Sequence, residues 1–521
     1  MNNIISYRKK YLKIYVWQAL SILLGFASLF VVVPYLSSDK TLYGIYSVCT
    51  SLTIFFSYAD LGFISAGIKY AAEYYIQGDK RNEIRVIGFT AFVMISAFAV
   101  VAFAILVLSI YPKLLIPEVI DGSQGYHVAS KLLLILAISC PIIIGQRILG
   151  IVYTIRVEDY IFQRLVICGN VIRILSVFYF FGDGKYRVVE YFLFYQFVNF
   201  IIVLVGLYFT RQYGYKLYEI LRAIRWNREI FDKVKKISGT SLVMTICMIL
   251  YYELDQIVIS HWIGIEAVAI YGAAMSIMTF VRTFASLVFS PYASRYNHFV
   301  GQKDFNGLAG FVNKMILMFG VILVVPLATI SLFAKPFVAA WIGSDYLQSA
   351  LLISLMTFGF STNFIKDPIT SYFVATERNR ILLKSNCLLP IIYWVGVFVS
   401  IGKIGIYSFA LFKFIAPTIV AIYYWWIAKN DFLSKGLTFV PLKDALLPIF
   451  WALLTISFLA ITIQPIMYYS HDKVSLLINI LIMAACLSVA MLVGIMASKK
   501  LKEEAYNILN NIKINIHKYG I

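Results

Sequence analysis

Ten charged side chains stand within, or at the edges of, long apolar runs of this sequence: Asp60, Lys69, Arg147, Arg173, Glu253, Asp255, Arg282, Lys366, Asp367 and Lys413. A charge at the centre of a bilayer helix costs about 2.5–3.5 kcal/mol on insertion scales, so each implies a functional cavity or a structural partner. The deep set is net basic, with Arg147, Arg173, Arg282, Lys366 and Lys413 set against Glu253, Asp255 and Asp367. A cavity lined by those cations would attract an anion, and a guanidinium offers a planar fork that matches phosphate oxygens. Arg147, Arg282, Arg173, Lys366 and Lys413 are therefore candidates for an anion-binding cavity. Asp60, Glu253 and Asp255 are candidates for binding a coupling cation or holding a gate. A structural reading stays open for these residues: Lys366 pairing with neighbouring acids, Arg173 snorkelling, and Asp255 sitting near the outer interface.

Bond-making chemistry has no motif here. The sequence holds no G-x-x-x-x-G-K-[ST] phosphate loop, no H-E-x-x-H and no G-x-S-x-G. Its five histidines (His127, His261, His298, His471, His517) are scattered without metal-ligand spacing. No catalytic residue, metal or cofactor is expected, and uphill work would draw on an H+ or Na+ gradient or on the membrane potential. The six cysteines (Cys49, Cys140, Cys168, Cys247, Cys387, Cys486) lie far apart in apolar segments and read as small buried side chains.

The elements that must position these charges are transmembrane helices. Of 521 residues 61% are hydrophobic and 14% charged, with a mean hydropathy of +0.82, whereas soluble domains carry roughly 25% charged residues. Expected spans are 14–36, 42–66, 86–111, 132–154, 161–181, 188–209, 237–260, 266–293, 311–334, 347–374, 385–402, 404–428, 445–468 and 474–497. Barrel strands are about 10 residues long with alternating polarity, which the run from Val86 to Tyr111 lacks. The first run follows Arg8, Lys9, Lys10 and Lys13, as a signal peptide would. It is too long for one and ends in Pro34-Tyr35-Leu36-Ser37 rather than a small-residue cleavage site, so it reads as a retained span.

Alternate loops orient the bundle. Those on the N-terminal side hold 30 Lys and Arg, and those on the other side hold 8. Positive charge is retained in the cytoplasm, so both termini are expected there. The formal charge of +19 then needs no nucleic acid partner. Within 211–236, Leu217, Ile220, Leu221, Ile224, Phe231 and Val234 form a helical stripe opposite Arg and Lys, as expected of a helix on the inner leaflet. The tail from Lys499 is a weaker version of the same pattern.

Adding 225 to the numbering carries the third span onto the ninth and the fourth onto the tenth. The same shift places Ile45-Tyr46, Ser51 and Phe55 on Ile270-Tyr271, Ser276 and Phe280. The expected organisation is a six-helix lobe (1–210), an amphipathic cytoplasmic linker (211–236) and a second six-helix lobe (237–430). Two additional helices (431–498) and a basic cytoplasmic tail (499–521) follow. Parallel repeats of this kind are a transporter plan in which two bundles rock around a central cavity.

Two stretches carry a family likeness. Pro34-Tyr35-Leu36, Tyr43-Gly44-Ile45-Tyr46, Phe55-Phe56 and Ala59-Asp60-Leu61-Gly62 form the first. The second runs Glu253-Leu254-Asp255-Gln256-Ile257-Val258-Ile259, then Gly264, then Val268 to Tyr271-Gly272-Ala273-Ala274. They resemble the Wzx-type O-antigen and capsule polysaccharide flippases of the multidrug/oligosaccharidyl-lipid/polysaccharide (MOP) exporter superfamily. The resemblance implies an all-α, MATE-like, V-shaped pair of six-helix lobes with about 14 transmembrane helices. It also implies movement of an undecaprenyl-diphosphate-linked oligosaccharide between leaflets, with Arg147 and Arg282 matching the cavity arginines of such flippases in character. Membrane lipids, a polysaccharide polymerase and a chain-length regulator would be partners. Two other readings are a cation-coupled multidrug exporter, which would need an acid-rich cavity, and a membrane-embedded glycan polymerase or glycosyltransferase, which usually needs a larger loop or catalytic domain.

Overall fold

The computed structural model describes residues 2–58, 63–182, 184–215, 217–504 and 506. They divide into two compact units, Met1–Gly272 and Ala273–Ile521. The first contains α1 (Asn2–Leu36), α2 (Lys40–Ser51), α3 (Thr53–Tyr58), α4 (Phe63–Ile76), α5 (Lys80–Ile110), α6 (Gln124–Ile138) and α7 (Cys140–Ile155). It continues with α8 (Asp159–Phe181), α9 (Val188–Thr210), α10 (Leu217–Ala223), α11 (Arg228–Tyr252) and α12 (Asp255–Trp262). Helix α13 (Ile265–Gly301) crosses the boundary. The second unit holds α14 (Phe305–Leu332), α15 (Ala334–Ile342), α16 (Gln348–Ser361), α17 (Asn363–Ala375), α18 (Asn379–Ile404), α19 (Tyr407–Ser434), α20 (Leu442–Ile463) and α21 (Lys473–Met496). The first unit thus takes in the linker and the seventh expected span, and extends past the expected lobe boundary at 210.

The fold is all helical among the described residues, as the apolar runs require. Among the described residues eleven helices are long and apolar enough to cross a membrane, and twelve if α6 and α7 form one bent span. The expected fourteen is higher because two spans are interrupted: 42–66 falls on α2, α3 and α4, and 347–374 on α16 and α17. The α6–α7 bend of 41° has a local cause. Pro141 sits in the first turn of α7, where it has no N–H to continue the ladder of α6.

Turns in the two units match at the expected spacing. Gly78 (φ +75°) precedes Asp79, whose carboxylate caps α5 through the Asn82 N–H. At a spacing of 225, Lys303 (φ +57°) precedes Asp304, which caps α14 through the Gly307 N–H. Val157 and Glu377 are likewise left-handed, between α7 and α8 and between α17 and α18. Left-handed residues at matching turns are a stronger sign of repetition than scattered apolar identities.

Two interfacial expectations need correction. In the linker Ile220, Ile230 and Val234 are buried in one cluster with Ile84, Ile87 and Phe89 of α5, so part of its apolar stripe meets protein rather than lipid. An apolar helix face does not itself specify which apolar surface covers it. At the start of the tail Leu501 is buried, and Glu504 pairs with Lys314 of α14; residues 507–521 lie outside the description. The last two spans pack on α14, and the fully buried Asn479 of α21 ties them to α15, its amide donating to the carbonyl oxygens of Tyr468 (2.7 Å) and of Pro336 in α15 (3.3 Å).

Candidate functional site

Helices α7, α8 and α9 place the chemistry of the first unit. Arg147 of α7 is half-buried and lines a cavity of about 580 Å³ together with Gln146, Asp159, Tyr195, Gln196 and Asn199. Among the described residues its guanidinium makes no hydrogen bond or ion pair. The cavity's carboxylate, Asp159, accepts from Thr154 Oγ1 at 2.5 Å.

Behind this cavity Arg173 of α8 is 6% exposed, so it does not snorkel. Its Nε donates to Gly169 O at 3.2 Å, and its two terminal nitrogens donate to Asn199 Oδ1 (3.3 Å) and Asn170 Oδ1 (2.5 Å). The group stacks 4.3 Å from the Tyr195 ring centroid. Asn199 Oδ1 also accepts from Gln146 Nε2 at 3.2 Å, and its Nδ2 donates to Gln196 Oε1 at 3.2 Å. Neutral amides and an aromatic face therefore satisfy the buried cation, with no carboxylate paired to it among the described residues. Arg147 thus stands at the cavity wall outside this network, while Gln146, Gln196 and Asn199 line the same cavity and connect it to Arg173.

The other candidates are separate. Lys366 is half-buried in α17 and, among the described residues, its side chain makes no hydrogen bond or ion pair, so the alternative structural reading of a pair with neighbouring acids finds no contact there. Lys413 of α19 is buried, with Nζ 5.1 Å from the Tyr393 ring centroid. Arg282, in α13, is half-buried. These three belong to the second unit. Asp255 is 1% exposed and accepts from the Tyr271 hydroxyl. Glu253 is half-buried at the C-terminal cap of α11, and Asp60 lies outside the described residues. Among the described residues no group of three His, Cys, Asp or Glu could hold a metal ion.

Several participants escape a search for charges alone. Gln196 and Asn199 are three residues apart in α9, as are Asn170 and Arg173 in α8, and that spacing puts each pair on one helix face. Polar pairs at this interval in an apolar run are the readable signal. Glu83 and Arg156 form a buried ion pair at 3.0 Å, although their positions near span ends suggest loop charges. The Tyr215 hydroxyl also donates to Glu83, and burial, then that bond, pushes its pKa well above the ordinary phenol range.

Residues 241–402 match the MatE family model. Over 131 residues the chain is 25% identical to the uncharacterized membrane protein EpsK of Bacillus subtilis (strain 168), a stretch covering a quarter of either protein. The fold is similar to that of the lipid II flippase MurJ in an inward closed conformation, with a TM-score of 0.68, 15% identity, and coverage of 91% of this chain and 97% of that one. An inward-facing multidrug resistance MATE family transporter of the MOP superfamily gives a TM-score of 0.58, 14% identity, and coverage of 81% and 95%. The chain is a multi-pass membrane protein with a MATE/MurJ-like fold, and the MatE match supports the MOP superfamily.

Proposed function

We propose that this chain is a flippase that carries an undecaprenyl-diphosphate-linked oligosaccharide, an O-antigen or capsule repeat unit, across the bacterial inner membrane by alternating access. The observation that carries the reading is Arg147. A half-buried guanidinium without a protein carboxylate partner among the described residues, backed by the amide-held cation Arg173, suits a ligand that brings its own negative charge. A diphosphate does so and matches the guanidinium fork. Arg282, Lys366 and Lys413 would extend the positive field in the second unit. Asp60, Glu253 or Asp255 would bind a coupling H+ or Na+ or hold a gate. A multidrug exporter of cationic compounds would use acids instead, and the carboxylate of the described cavity, Asp159, is taken by Thr154.

Surface polysaccharide in a flippase-null strain is the test. Wild-type sequence is expected to restore it, Arg147→Ala and Arg282→Ala to lose most of it at equal membrane abundance, and Arg147→Lys to keep part. Full restoration by both alanine variants would overturn the cavity assignment. Restored drug efflux without polysaccharide would favour the exporter.

A further inference from the structure

The first unit carries another cavity, of about 640 Å³, where the start of α5 meets the linker helix α10. Lys80, Arg81, Arg85, Arg222 and Arg225 line it, with Glu219 as its carboxylate. Two of the cations are engaged: Lys80 Nζ donates to Gly214 O at 2.6 Å, and Arg85 donates to Asn82 Oδ1 at 3.2 Å. Arg81, Arg222 and Arg225 are exposed and, among the described residues, make no hydrogen bond or ion pair. Of the nearby acids, Glu229 is held by Lys233 at 3.0 Å and Asp79 accepts from Asn82 at 2.6 Å with Arg81 beside it, and against five lining cations the single lining carboxylate, Glu219, leaves the cavity net positive.

What surrounds these arginines identifies the ligand. Ile220 is buried against α5, and Gly88 lets the linker backbone approach, since a Cβ there would collide with Ala223. That docking turns the opposite face of the segment outward. Tyr218, Leu221 and Trp226 are 59%, 58% and 52% exposed, beside the exposed arginines. Trp226 is anchored on Phe89, Phe92 and Phe231, with ring centroids 5.6, 6.3 and 4.9 Å away, yet keeps half its surface outward, and a cavity for a soluble anion has no use for such apolar surface beside it. A bilayer interface does, because acyl chains cover the apolar groups while guanidinium groups meet phosphate.

We propose that this cavity binds the phosphate headgroup of an anionic phospholipid, with Arg81, Arg222 and Arg225 on the phosphate and Tyr218, Leu221 and Trp226 against its glycerol and acyl region. The site is separate from the transport cavity and does not depend on the flippase reading.

The test uses the delipidated full-length protein in neutral detergent. It is offered equal amounts of phosphatidylglycerol and phosphatidylcholine with the same acyl chains, and native mass spectrometry counts the retained lipid. Retention of phosphatidylglycerol is expected to exceed that of phosphatidylcholine by about tenfold. Arg222→Gln with Arg225→Gln should remove most of that preference, Arg81→Gln part of it, and the exposed pair Lys429→Gln with Lys443→Gln none. Millimolar inorganic phosphate should leave the bound lipid in place. Equal retention of the two lipids by the wild type, or a wild-type ratio in both the double variant and Arg81→Gln, would overturn the proposal. Displacement by inorganic phosphate would assign the site to a soluble anion and overturn it equally.

Discussion

Arg156, just past the end of α7, donates to Glu83 in the first turn of α5 at 3.0 Å, with both side chains almost fully buried. The guanidinium also lies within 5 Å of the ring centroids of Tyr75, Tyr213 and Tyr215, and it donates to Val152 O at 3.1 Å. Removing one partner of a buried pair typically costs about 3–5 kcal/mol, because the other charge is stranded. The two partners are not equivalent here. Without Glu83 the cation keeps three aromatic faces and a carbonyl, whereas without Arg156 the carboxylate keeps the Tyr215 hydroxyl. Arg156→Ala is therefore expected to lower the thermal midpoint in detergent more than Glu83→Gln. Equal midpoints, or no loss in either variant, would refute the asymmetry.

Two glycines separate close packing from helix propensity. A Cβ on Gly359 of α16 would overlap the Lys413 carbonyl and the Phe414 Cα of α19, whereas a Cβ on Gly310 of α14 would meet open space. Gly359→Ala must push two backbones apart and is expected to cost about 1–3 kcal/mol. Gly310→Ala should be neutral or stabilise by up to about 1 kcal/mol through helix propensity. Denaturation midpoints that fall in both variants, or in neither, would contradict the packing of α16 on α19.

Asp472 caps α21, accepting from Ser475 N–H at 2.8 Å and from the Ser470 and Ser475 hydroxyls at 2.7 Å each. The Ser470 hydroxyl first, then the two Ser475 donors, lower its pKa to about 2. Its folded value thus lies below the ordinary unfolded value of about 3.9, so the cap's contribution is present above that value. It is lost as pH falls through about 2. Amide exchange at Ser475, corrected for its intrinsic rate, should stay protected between neutral pH and about 4 and weaken only on further acidification. Asp472→Ala should remove the protection at every pH. Loss of protection already complete near the ordinary carboxylate value would show that the cap bonds do not hold.

Much of the architecture can be read from the spacing of apolar runs, and the interruptions explain what cannot. Pro141 is visible in the sequence, but whether it ends a span or bends one depends on neighbouring helices. The 211–236 stripe is equally apolar at Ile220 and Leu221, yet the first is buried in protein and the second exposed. The repeat is better marked by Gln77-x-Asp79 and Gln302-x-Asp304, which build matching caps, than by shared apolar residues. In the site, the deep arginines are legible because charge is costly in lipid. Their roles differ through Asn199 and Tyr195, neutral residues that carry no such cost signal.

Asn199 offers a way to separate the charge of the cavity from its construction. Its Oδ1 accepts from Arg173 at 3.3 Å and Gln146 at 3.2 Å, and its Nδ2 donates to Gln196 at 3.2 Å. Asn199→Asp keeps a comparable shape and both acceptor roles, gives up the single donor bond, and adds a negative charge against Arg173. Interhelical hydrogen bonds in membranes are worth about 0.6 kcal/mol on average, so the lost donor should scarcely move the thermal midpoint. The new charge, however, cancels the cation behind the cavity wall and repels an anion approaching Arg147. Polysaccharide restoration is therefore expected to fall about tenfold or more at unchanged stability and abundance. Asn199→Leu should instead leave the Arg173 cation short of its acceptor and lower stability together with transport. If Asn199→Asp transports as well as wild type, positive charge at this wall is not what the substrate reads.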